Sequence, residues 1–143
     1  MMSLLLPTVL SVVLLADEGP KKDIDLIQGV WDVFSTEING KPQPKNNLFR
    51  IQAIFDGNQL LTGVGKRPPE PRGTFKLDQG RKPKTYNLLT QGSTVFGIYV
   101  LDGDTLKICL SAPGDARPTN FATSPDDGRT VIIYKRLKKP ENR

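Results

Sequence analysis

A series of short turn sequences, Asn39-Gly40, Asp56-Gly57-Asn58, Asp78-Gln79-Gly80, Gln91-Gly92-Ser93 and Asp102-Gly103-Asp104, cuts this chain into pieces suited to strands and too short for long helices. Glycine accepts the positive φ that tight hairpins need, and Asn or Asp tolerates it and hydrogen-bonds its own backbone. Between the turns the side chains alternate. Phe49, Ile51, Ala53 and Phe55 oppose Arg50 and Gln52, and Phe75 and Leu77 oppose Thr74 and Lys76, so a period of two sets one face toward a core and the other toward water. The further strands are predicted at Gln59 to Gly65, Thr85 to Thr90, Thr94 to Leu101, Thr105 to Leu110 and Thr130 to Leu137, and the first lies within Ile24 to Ile38. Residues Lys41 to Asn47 are expected to be loop, because Pro42 and Pro44 each withhold a backbone donor. The next strand starts near Leu48. About eight strands joined by tight turns make antiparallel neighbours, and closing the meander on itself removes its exposed edges. The expected class is all-β, an antiparallel up-and-down barrel. With 143 residues and 37% hydrophobic content there is material for one core and no more.

Residues Ser3 to Ala16 form an apolar run halted by Asp17, Glu18, Gly19 and Pro20. It is short for a membrane span and reads as a signal peptide, with Ala16 before the cleavage point. An uncleaved N-terminal anchor and a mis-set start codon are the alternatives. The expected organisation is a signal peptide over 1–16, a charged linker over 17–23, the barrel over 24–138 and a polar tail over 139–143. Both main readings place the domain outside the cytoplasm, in the periplasm or secreted.

The chain contains no histidine and one cysteine, Cys109. Histidine-dependent triads and metal sites are thereby excluded, and no intramolecular disulfide can form. The formal charge of +5 is carried in part by Lys66, Arg67, Arg72, Lys76, Arg81, Lys82 and Lys84, and by a second basic cluster from Lys135 to Arg143. These clusters read either as a solvated surface or as a contact for an anionic envelope component. Nucleic acid is not expected, since no basic helix or repeated aromatic and basic spacing is present.

Gly29-Val30-Trp31 on the first strand, paired with Arg136 on the last, resembles the lipocalin and calycin arrangement. Gln28-Gly29-Val30-Trp31, Asn39-Gly40-Lys41-Pro42, Gly73-Thr74-Phe75-Lys76-Leu77-Asp78, the run from Gly97 to Lys107, and Arg117-Pro118-Thr119 occur in one order. That series is similar to the lipocalin-like domain of planctomycete bacteria, from Leu26 to Arg136, with the stretch ending at Cys109 its most distinctive part. The connection between Leu89 and Val95 is short for that pattern. The resemblance implies an eight-stranded lipocalin-like barrel in which Gly29, Trp31 and Arg136 close the base, and it supplies no substrate. A large indole plugging one end of a barrel can stack a guanidinium on its face.

Candidate chemistry is sparse. Asp102 and Asp104 flank a hairpin glycine, and Asp126 and Asp127 lie in a Pro- and Gly-rich loop, so turn geometry accounts for both pairs better than calcium ligation does. Gly63-Val64-Gly65-Lys66 lacks the spacing and the helix of a phosphate loop. Cys109, flanked by Ile108 and Leu110, reads as a structural thiol with no base to activate it. Arg117 is either an anion contact at the barrel mouth or the anchor of a loop through a salt bridge. No cofactor and no catalysis are expected, and the domain is read as a monomer. Two functions remain open: a barrel holding a small apolar or amphipathic molecule, lined by Phe49, Ile51, Phe55, Phe75, Tyr86, Ile98, Tyr99 and Tyr134, or a packed barrel acting through its loops and basic surface.

Overall fold

The computed structural model describes residues 21–44 and 50–137. The apolar segment 1–16, most of the linker, Phe49 and the polar tail lie outside the described residues. A one-turn helix, α1 (Asp23–Leu26), precedes the strands β1 (Gly29–Ile38), β2 (Lys41–Pro42), β3 (Ile51–Asp56), β4 (Gln59–Val64), β5 (Glu70–Asp78), β6 (Thr85–Thr90), β7 (Ser93–Asp102), β8 (Thr105–Leu110) and β9 (Thr130–Arg136). Sheet order follows chain order from β3 to β9, and β1 pairs with both β3 and β9. Leaving aside the two-residue β2, the chain is a closed antiparallel barrel of eight strands, as expected from its turns and consistent with the lipocalin-like architecture that the resemblance implies.

One expected loop is partly strand. Asn39 and Gly40 take φ of 52° and 77°, which turns the chain tightly enough to pair Lys41 with Ile38 and Pro42 with Glu37. Pro42 is tolerated because β2 is terminal in the sheet order, where a missing N–H breaks no ladder.

The inward face collects one aromatic-rich core: Trp31, Phe55, Phe75, Tyr86, Tyr99 and Tyr134 with Ile27, Leu60, Leu106 and Ile108. Phe75 meets Phe55 edge-on at 5.0 Å between ring centroids and stacks on Tyr86 at 6.1 Å. Gly97, opposite Tyr86 on β7, leaves the sheet no room for a side chain: a Cβ there would lie 2.6 Å from the Cys109 carbonyl oxygen.

A second, smaller core lies on the other side of the wall. Ile98, Cys109 and Val131 are cross-strand neighbours with outward parity, yet all three are buried, and Phe121 packs on them. Phe121 belongs to the connection between β8 and β9, which therefore lies across the outside of β7, β8 and β9. Ile98, expected among the interior lining, is corrected to this outer cluster. Strand alternation sets Tyr99 inward and Ile98 outward, and the loop supplies the burial.

Candidate functional site

The base of the barrel is a built structure. Ile27, directly after α1, is fully buried in the main core, and its carbonyl accepts the Trp31 indole N–H at 2.8 Å. The Arg136 guanidinium stands 4.2 Å from the Trp31 ring and donates to the Gln28 carbonyl at 2.9 Å and to the Leu26 carbonyl. The Leu26 carbonyl is the last of α1, left without a partner by so short a helix, and Gln28 lies two residues beyond it. Arg136 therefore stacks on the plug and caps α1 at once. Gly29 follows with φ of 116°, a backbone conformation that L side chains rarely adopt and glycine takes freely, and it lies beside the Arg136 guanidinium, which an added Cβ would meet at 3.5 Å. Gly29, Trp31 and Arg136, expected together, lie beside one another.

Asp23, assigned to the linker by its charge, is instead the first residue of α1 and is buried. Its carboxylate accepts the Lys84 ammonium and the Tyr99 hydroxyl, each at 2.8 Å, while its own N–H donates to Gln79 Oε1. A carboxylate this short of solvent needs such partners. Burial and the adjacent Asp23 charge push the Tyr99 phenol well above its ordinary range. Nothing in the local sequence marks Asp23, since its partners come from the β5–β6 connection and β7, more than fifty residues away. Below it, Gln28 clamps the β3–β4 turn, donating to the Gly57 carbonyl and accepting the Gly57 N–H.

Among the expected lining residues, Phe55, Phe75, Tyr86, Tyr99 and Tyr134 come together in the core. Ile51 does not: it begins β3 and is 46% exposed, because the inward row has run past its covered part there. Burial raises the Tyr86 and Tyr134 phenols far above their ordinary range.

Arg117 is at neither expected place. It lies over the Phe96 ring, 4.9 Å from its centroid, and donates to the carbonyls of Gly97 and Tyr86 at 2.8 and 3.3 Å. It thus docks on the outer wall of β6 and β7 through backbone oxygens, away from the mouth and without a carboxylate among the described residues. Desolvation lowers its affinity for the proton, with Arg81 adding repulsion. Of the carboxylates read as turn residues, Asp127 accepts the backbone N–H groups of Ser124 and Arg129, while Asp104 pairs with Arg136 at 3.3 Å. Cys109 is fully buried, and burial pushes its thiol pKa up, the reverse of activation.

The feature that sequence reasoning missed is a groove on the outer wall. It has a volume of about 620 Å³ and is lined by Asn58, Thr74, Lys76, Asn87, Leu89 and Thr94, together with Ile24, Phe75 and Leu77. Thr74, Leu89 and Thr94 are aligned across β5, β6 and β7, and so are Lys76, Asn87 and Phe96. All six have the parity opposite to Phe75, Tyr86 and Leu88. Arg117, over Phe96, continues the second row. Asn87 lines the groove, and its Oδ1 is buried with no hydrogen-bond donor among the described residues, which costs about 1–3 kcal/mol. The outward alternation was legible, but its concavity was not. No family model, curated protein or solved structure matches the chain.

Proposed function

We propose that this chain is a non-enzymatic, lipocalin-like binding domain, exported on residues 1–16, whose barrel interior is structural core and whose contact surface is the outer wall with its loops. The observation that carries this reading is the interior itself. Trp31, Phe55, Phe75, Tyr86 and Tyr99 are all at most 4% exposed and contributed by five different strands, and Phe75 packs against both Phe55 and Tyr86, which supports reading these side chains as filling. The outer wall, by contrast, offers the groove on β5, β6 and β7 with Lys76 and Arg117 beside it. The absence of histidine from the sequence, the ion pair of Asp104 with Arg136 and the engagement of Asp127 in its turn support a non-catalytic role.

A second reading, a small amphipathic ligand held inside, is favoured by one observation. Three tyrosines, Tyr86, Tyr99 and Tyr134, lie in the core and set phenol groups among its apolar side chains. Titration with the apolar fluorophore 1-aminoanthracene separates the two. The packed-barrel reading expects no saturable fluorescence rise with the folded protein; a stoichiometric rise competed by fatty acid would replace it with the second.

A further inference from the structure

We propose that the outer-wall groove over β5, β6 and β7 is a binding site for an acidic saccharide, a sugar carrying a carboxylate among its hydroxyls. The proposal rests on the reading that the outer wall is the contact surface. The lining is mixed in a way that selects this chemistry. Asn58, Asn87, Thr74 and Thr94 offer amides and hydroxyls, Leu89 offers an apolar face that is 51% exposed, and Lys76 brings a single ammonium. No carboxylate among the described residues pairs with Lys76. A polyanion such as nucleic acid is held by several cations along its backbone, and one lysine amid neutral hydrogen-bonding groups does not provide that.

Asn87 is the second, independent observation. Its Oδ1 is a buried acceptor with no donor among the described residues, although the residue lines a groove open to ligand. Buried polar groups without partners are rare in folded proteins, and those that persist call for a reason. A ligand that relieves this one must donate a hydrogen bond, which a carboxylate at neutral pH cannot do and a sugar hydroxyl can. Turning of the Asn87 side chain toward the groove lets a hydroxyl reach Oδ1 while the same sugar's carboxylate meets Lys76, the cross-strand neighbour of Asn87. Arg117, stacked on Phe96 at the other end of the row, adds positive potential without entering the groove.

The test uses the full chain, with trigalacturonate as probe and maltotriose, inorganic phosphate and single-stranded DNA as comparisons, read by calorimetric titration alongside denaturant unfolding. Trigalacturonate is expected to bind at least tenfold tighter than the others, and Lys76→Gln and Asn87→Leu to lose that binding tenfold or more. Asn87→Leu is also expected to raise the unfolding midpoint, because it removes an unpaired buried acceptor. A lowered midpoint would make Asn87 structural and overturn the proposal. So would absent binding, unchanged binding in Lys76→Gln, or preference for phosphate or DNA. Exclusion of 1-aminoanthracene is measured separately, so the packed-barrel reading can stand while the saccharide site fails.

Discussion

Removing either partner of the Trp31–Arg136 contact perturbs the base of the barrel in two distinguishable ways. Trp31 is wholly buried, so Trp31→Ala opens a large cavity and orphans the Ile27 carbonyl, at a cost of about 3–5 kcal/mol. Arg136→Ala leaves the core filled but removes the guanidinium from the ring and uncaps the Leu26 and Gln28 carbonyls. Hydrogen bonds to charged groups contribute about 1.5–3 kcal/mol each, and these carbonyls regain water once the arginine is gone, so about 2–4 kcal/mol in all is expected. The ion pair with Asp104, whose side chain is 60% exposed, adds about 0–1 kcal/mol. In the double mutant the ring–cation term is lost once instead of twice, giving a coupling of about 1 kcal/mol. Because Trp31 is the sole tryptophan, unfolding is followed by circular dichroism; Trp31→Phe replaces Trp31→Ala if the latter fails to fold. Strictly additive losses would refute the stacked closure, and an Arg136→Ala cost equal to that of Trp31→Ala would place the energy in the caps instead of the plug.

All three tyrosines of the chain, Tyr86, Tyr99 and Tyr134, are buried, and each phenol is held above its ordinary value of 10 chiefly by desolvation. A raised folded-state pKa contributes stability that is complete below the unfolded value and is lost as pH rises beyond it. Unfolding free energy should therefore decline above about pH 10, and tyrosinate absorbance should rise in one step with loss of structure; gradual ionisation of a phenol in the folded protein would contradict the burial. Gly97→Ala is expected to abolish or severely weaken folding, since its Cβ would lie 2.6 Å from the Cys109 carbonyl oxygen and 2.8 Å from Leu110 Cδ2. A soluble Gly97→Ala barrel with an unchanged denaturation midpoint would show that the β7–β8 ladder yields easily there.

Much of the molecule was written locally. Turn chemistry at Asn39-Gly40, Asp56-Gly57 and Asp102-Gly103 delimits hairpins, and alternation in β3 and β5 sorts Phe55, Phe75 and Leu77 inward. What escaped depends on residues that meet from distant positions. Asp23 resembles any linker aspartate until Lys84 and Tyr99 reach it, and Arg117 resembles any loop arginine until it lies on Phe96.

The sequence by itself determined the all-β class, the hairpin positions and the two faces of most strands, because glycine conformation and a side-chain period of two act over a few residues. Tertiary structure alone decided which outward residues are covered and which are left in a groove. Ile98 and Cys109 share outward parity with Lys76 and Asn87, yet a loop carrying Phe121 buries the first pair while the wall of β5, β6 and β7 leaves the second beside open space. That difference comes from where a long connection lies on a closed barrel. It is a property of packing between segments far apart in the chain, which no local pattern encodes.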